Sequence, residues 1–181
     1  MRIVPIVFLF LILLPSLGAQ NISSVHTRWD DTFREWIVYD TDADMEGTIN
    51  MRWQINNDWS KWDYNFGEEG GTIDQKWRDN PEEWELRGYD DFIYARTVYS
   101  RDLTSWRLKG EEITLTFQSQ SSFRQNEWRL QTKGYGEFVV HTEFQGDPRD
   151  WIVYDDLSED VSFSMKMAMI FLAIYHGSPH Q

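Results

Sequence analysis

The sequence predicts a mainly β fold, a twelve-stranded antiparallel barrel of six hairpin repeats closed around a hydrophobic C-terminal helix. Three observations predict it: a tryptophan recurring about every 22 residues, alternating apolar runs on either side of it, and one segment near the end that is apolar all round.

The repeat is carried by Trp36, Trp62, Trp84, Trp106, Trp128 and Trp151, at intervals of 26, 22, 22, 22 and 23 residues. A fixed period of this length marks a repeated supersecondary unit. Each tryptophan has an apolar residue two places on (Val38, Tyr64, Leu86, Leu108, Leu130 and Val153), and in a strand i and i+2 share a face. These six rings are therefore expected to point inward.

Upstream of each tryptophan lies a second alternating run, taken in order as Val25/Thr27/Trp29, Ile49/Met51/Trp53, Ile73/Gln75/Trp77, Ile93/Ala95/Thr97/Tyr99, Ile113/Leu115/Phe117 and Phe138/Val140/Thr142/Phe144. Read at period two, these also put one face inward. Turn-forming residues such as Asp30-Asp31, Asn56-Asn57-Asp58, Asp79-Asn80-Pro81 and Gly146-Asp147-Pro148 separate the two runs of a unit. Each unit is thus a hairpin, and glycine or acidic clusters such as Glu46-Gly47, Gly70-Gly71 and Gly88-Tyr89-Asp90 join one to the next.

The last element, Val161 to Tyr175, has Ser162, Ser164 and Lys166 as its only polar residues. A helix without a polar face has to be buried. Ser158 with Glu159 and Asp160 offers an N-cap and an acidic first turn, and Gly177 and Pro179 a stop, so the helix is expected over about 159–176. A twelve-stranded barrel leaves a lumen of roughly 12–14 Å, near the ~10–12 Å width of one helix. A β-sandwich with the helix packed on its end is the competing architecture. Lys166 needs a place at the barrel mouth or an inward acid beside it, and replacing it with Met is expected to be tolerated or stabilising.

Residues 1–19 read as a signal peptide: Arg2 is a basic start, Val4 to Leu14 an apolar run, and Leu17-Gly18-Ala19 a cleavage site. The remainder, 20–181, fits a single domain exported to the periplasm or the cell exterior. No cysteine occurs, so that domain must be stable without disulfides. Arg2 is the only charge in the signal segment, so the mature chain carries 16 basic and 30 acidic residues, a formal charge of −14. That field repels nucleic acid and disfavours contact with anionic membranes. A monomer with an unknown ligand is expected.

Hairpins such as DQKWRDNPEEWELRG and ARTVYSRDLTSWRLKG, followed by LSEDVSFSMKMAMIFLAIYHG, resemble the tubby C-terminal-like superfamily, especially its LURP-one-related and scramblase-like members. The resemblance covers nearly the whole mature chain. It implies a twelve-stranded barrel around a C-terminal helix, and a lipid or membrane-associated ligand. Two features depart from the family: an export signal and a strongly acidic charge in place of the basic clusters that bind phosphoinositides.

Candidate chemistry is sparse. With no cysteine, and with His26, His141, His176 and His180 in no metal or triad spacing, no catalytic centre, metal site or cofactor is expected. Asp40, Asp42 and Asp44 alternate like a calcium loop, but Met45 stands where such a loop needs glycine, and a solvated turn is the better reading. Arg28, Arg52, Lys76 and Arg96 hold the same place in four hairpins, one step out of phase with the apolar face. They are the candidate ligand-binding residues, an outward basic row able to hold an anionic head group. The alternative is cross-strand pairing with outward acids such as Glu35, Asp63 and Glu85. Trp59, at a hairpin turn, is the one tryptophan expected to expose its ring. The leading expectation is an exported, non-enzymatic binding or scaffold domain. Behind it stand a carbohydrate- or protein-binding module of the cell exterior and, last, a small hydrolase.

Overall fold

A computed structural model describes residues 21–41, 45–121 and 125–180. The strands are β1 (Ile22–Trp29), β2 (Thr32–Asp40), β3 (Glu46–Trp53), β4 (Asp58–Phe66), β5 (Glu69–Trp77) and β6 (Asn80–Arg87), then β7 (Phe92–Thr97), β8 (Ser105–Lys109), β9 (Thr114–Ser119), β10 (Glu127–Leu130), β11 (Gly136–Thr142) and β12 (Asp150–Leu157). Every strand pairs antiparallel with its neighbours in sequence, and β1 pairs with β12. The sheet is a closed barrel, which leaves no unpaired edge. Residues 1–19, expected to be a signal peptide, and Asp42 and Asp44 lie outside the described residues.

The helix α1 (Phe163–Gly177) runs through the barrel, and every residue from Ser164 to Tyr175 is buried. It begins later than the sequence suggests. Ser162, not Ser158, is the N-cap, its hydroxyl accepting from the Met165 N–H, and no acid sits in the first turn. Ser158 instead closes a tight turn, its carbonyl accepting from the Val161 N–H. That turn brings the chain from the wall to the axis.

Wall and helix touch closely at both ends. A β-carbon on Gly88 would come within 2.3 Å of the Ser164 hydroxyl, and one on Gly177 within 2.4 Å of the Trp151 ring. Only glycine lets backbone and helix approach this far.

The six repeat tryptophans are all buried, as expected. Four meet rings in the C-terminal half of the helix: Trp62 meets Phe171 at 5.6 Å, Trp84 meets Tyr175 at 4.8 Å, and Trp106 and Trp128 meet His176 at 5.1 and 6.4 Å. Each indole N–H donates to the carbonyl three residues earlier, on Phe33, Trp59, Pro81, Leu103, Gln125 and Pro148, at 2.7–3.1 Å. In the first three hairpins that stretch is a bulge, where three residues of the even strand face one of the odd strand. The bulge turns a carbonyl away from its ladder, and a buried carbonyl without a donor costs about 1–3 kcal/mol. Tryptophan supplies both a large apolar body and that donor.

Lys166 is accommodated inside the wall. Its ammonium lies 2.8 Å from the Asp155 carboxylate, and the two side chains are only 5% and 1% exposed. Asp155 shares the inward phase of Trp151 and Val153 on β12.

Candidate functional site

The outer face of the barrel follows from the same alternation. Residues one step out of phase with the core are polar, and their charges pair across strands. Arg28 lies 3.8 Å from Glu35. Arg52 grips Asp63 through Nε and Nη2, at 3.0 and 2.6 Å, and lies 3.5 Å from Asp74, which also meets Lys61 at 3.6 Å. Lys76 lies 3.3 Å from Glu83, while Glu85, the acid expected beside that row, is taken by Arg87 at 2.7 Å. Arg96 has no ion pair among the described residues, and its register neighbours are Glu83 and Arg107. The row of Arg28, Arg52, Lys76 and Arg96 therefore exists on the outer face, but acids engage its first three members. A barrel with an apolar interior and paired charges outside has the reverse polarity of a lipid-facing one.

The upstream runs do not keep one face inward to their ends. Trp29, Trp53, Trp77, Tyr99 and Phe144 are 56%, 52%, 58%, 68% and 57% exposed. The first three follow the bulges, where the register slips by two, and the last two lie beyond the ends of β7 and β11. The Trp29 N–H donates at 2.9 Å to Glu35, the acid that pairs with Arg28, which holds the ring beside the outer charges. Trp59, expected to be the exposed ring, is half-buried instead. It stacks on His180 at 4.6 Å and meets Trp62 at 5.7 Å, closing the barrel end over Tyr175.

A groove of about 870 Å³ runs over the outer face of β5 to β8. Its floor carries Phe92 and Tyr94, successive outward residues of β7, with Tyr89 at one end. Trp77 extends the series past Lys76, whose ammonium lies 5.9 Å from the Trp77 ring and 4.4 Å from the Tyr94 ring. Arg87 lies over Phe92 at 4.7 Å. Lys109 and Glu111 form the opposite wall.

These groups are tightly tied. The Tyr94 hydroxyl donates to Glu83 in a short hydrogen bond, which with further bonds from Lys76 and Trp77 holds the Glu83 carboxyl below the usual carboxylate range. Burial raises the Tyr94 phenol, and its bond to Glu83 raises it further. For Lys76, burial acts downward, but the bonds to Glu83 and Tyr94 outweigh it and its ammonium is held more firmly. The groove is thus preorganised: Phe92 and Tyr94 each carry a cation over one ring face, and those cations are themselves tied to Glu85 and Glu83.

A second hollow, of about 360 Å³, opens at the other barrel mouth over the start of the helix, with Glu69, Asp90, Asp91, Glu112 and Asp160 on its walls. Negative charge is favoured at a helix N-terminus, and Asp91 accepts a short hydrogen bond from the Ser162 cap. Among the described residues no group of three or more histidines and carboxylates converges to hold a metal. Asp40, the described member of the alternating aspartates, accepts from the Met45 N–H at 3.3 Å.

His176 and His180 do not converge either. His176 is half-buried with its ring stacked on Trp106, and burial of the ring pushes its pKa down to about 3. The His180 ring lies 2.9 Å from the Tyr175 carbonyl.

No protein-family model, curated protein or solved structure matches the chain.

Sequence reasoning missed the groove. Phe92 and Tyr94 belong to different phases of the β7 run from its buried Ile93 and Ala95, so they appear in no apolar stripe. The one available signal was the basic-aromatic pair repeated as Arg28-Trp29, Arg52-Trp53 and Lys76-Trp77.

Proposed function

We propose that this chain is an exported binding domain of the cell exterior, without a catalytic role, which holds a neutral polysaccharide along the groove of β5 to β8. One observation carries the reading: a track of Phe92, Tyr94 and Trp77 flanked by charges already fixed to one another. Phe92 and Tyr94 are separated by about 6.8 Å along the strand, comparable with neighbouring sugar rings. Aromatic faces pack on the apolar C–H faces of sugars, while preorganised ionic groups such as Lys76, Glu83 and Arg87 can hydrogen-bond hydroxyls with little ordering cost. The net charge favours a neutral glycan over a polyanion.

The test is retardation of the mature domain in gels containing soluble neutral glucans, xylans or mannans, with a polyuronate as the charged comparison. Retardation by a neutral polymer is expected, reduced at least tenfold in affinity by Tyr94→Ala and left unchanged by Trp29→Ala. Migration unaffected by every neutral polymer would overturn the reading, as would retardation indifferent to Tyr94.

A second reading is favoured by Arg96 and Arg107, register partners on the outer face with no ion pair among the described residues. They suit an anionic head group, as the tubby-like resemblance implies, and membership of that superfamily is part of this proposal. Flotation with anionic vesicles tests it. Binding is expected to be weak and abolished by salt, because it works against the charge of −14.

A further inference from the structure

Inside the barrel wall, three side chains form a group that the proposed binding face does not use. The Lys166 ammonium lies 2.8 Å from Asp155 Oδ2 and 3.5 Å from Asn21 Oδ1. Both charged side chains are buried. The Asn21 segment is held from two sides: the Ile22 N–H donates to Asp155 Oδ2 at 3.4 Å, and the Asn21 carbonyl accepts from the Thr41 N–H at 3.0 Å and its hydroxyl at 3.2 Å. An amine that reaches both a carboxamide and a carboxylate, with water excluded from the amine and the carboxylate, supplies the reactants and the proton carrier of a transamidation.

We propose that Lys166 and Asn21 join in an intramolecular isopeptide bond, formed with Asp155 as the proton carrier. Asp155 takes a proton from the Lys166 ammonium, and the freed amine adds to Asn21 Cγ. A bond forms between Lys166 Nζ and Asn21 Cγ, and the bond from Cγ to Nδ2 breaks. A second Nζ proton passes to Nδ2, which leaves as ammonia. Asp155 is left as a neutral carboxyl, the Asn21 oxygen stays in the new amide, and nothing is oxidised or reduced. Enclosing an amine beside a carboxamide in a fixed orientation raises their effective concentration, which is what lets such a self-promoted reaction proceed. The product replaces a buried ammonium by an amide, which removes the cost of an enclosed charge. It also gives a cysteine-free exported chain a covalent tie between its first strand and its central helix, the part that disulfides play in other exported domains.

The test uses the protein exported and purified from the full chain, unfolded and digested with trypsin. Trypsin should not cut after Lys166, and a branched peptide should join residues 20–28 to residues 150–181, lighter than its two parts by one ammonia. Cyclisation of Gln20 also releases ammonia but leaves no branch, so fragmentation separates the two. Asn21→Ala, at an exposed position, should restore cleavage after Lys166. Asp155→Ala should do the same with both reactants present. Linear peptides 20–28, 150–166 and 167–181, each of full mass apart from any Gln20 cyclisation, from the folded wild type would overturn the proposal, whatever the variants do. Loss of water confined to residues 150–166 would overturn it too, since that product joins Asp155, not Asn21, to Lys166.

Discussion

The Trp106 indole N–H donates at 2.9 Å to the carbonyl of Leu103, and the same bond recurs at the corresponding place in all six hairpins. The repeat is therefore a repeat of a polar obligation as well as of an apolar ring. Replacing Trp106 with Phe keeps most of the apolar body but leaves the carbonyl without its donor. A loss of about 2–4 kcal/mol is expected from the unpaired group and the vacated volume together. Urea denaturation measures it, and a loss below about 0.5 kcal/mol would mean that the ring alone is required.

Lys166 carries a different expectation once its partner is known. On sequence alone, with Lys166 placed either at the barrel mouth or beside an inward acid, replacement by Met is expected to be tolerated or stabilising. Asp155 reverses this. Its side chain is 1% exposed, and during folding, before any bond to Asn21 forms, Lys166 is its cation; Lys166→Met forbids that bond and leaves the enclosed carboxylate unpaired. The cost of breaking such a pair is about 3–5 kcal/mol, a large share of a typical domain's stability. A melting temperature within a few degrees of the wild type would show that Asp155 has another way to be satisfied.

His176 sets an acid limit on the fold. Its pKa is pushed down to about 3 in the folded barrel, against about 6.5 when unfolded. Between those values the unfolded chain binds the extra proton, so stability falls as pH drops below about 6.5. The contribution approaches ~1.4 kcal/mol per pH unit, on top of what the hydrogen-bonded carboxylates lose. His176→Phe keeps an aromatic ring against Trp106 without a titrating group. Its melting temperature should fall less steeply than that of the wild type between pH 6.5 and 4. Parallel profiles would place the acid sensitivity elsewhere.

The six buried tryptophans were legible because a period near 22 residues and an apolar i+2 neighbour are properties of the chain itself. The helix was legible for the same reason, although its start moved from about 159 to 163: Ser158 and Ser162 are equally good caps until the turn between them is known. Trp29, Trp53 and Trp77 were not legible. Their alternation is inward by count, and only the two-residue slip against the partner strand carries them out. Register is a property of two strands together. The same holds for Asp155, one of many acids in an acidic chain until β12 aims it at Lys166, and for the groove, whose residues come from four strands.

The claim that the wall is built around α1 is tested most directly by thermal unfolding of residues 20–157. The helix supplies the buried surface against which Trp62, Trp84, Trp106 and Trp128 pack. Without it the truncated chain should be insoluble, or expanded and dye-binding, with strand signal but no cooperative transition. A cooperative melt near the temperature of the full mature chain would show that the barrel stands without its helix, and would contradict the account.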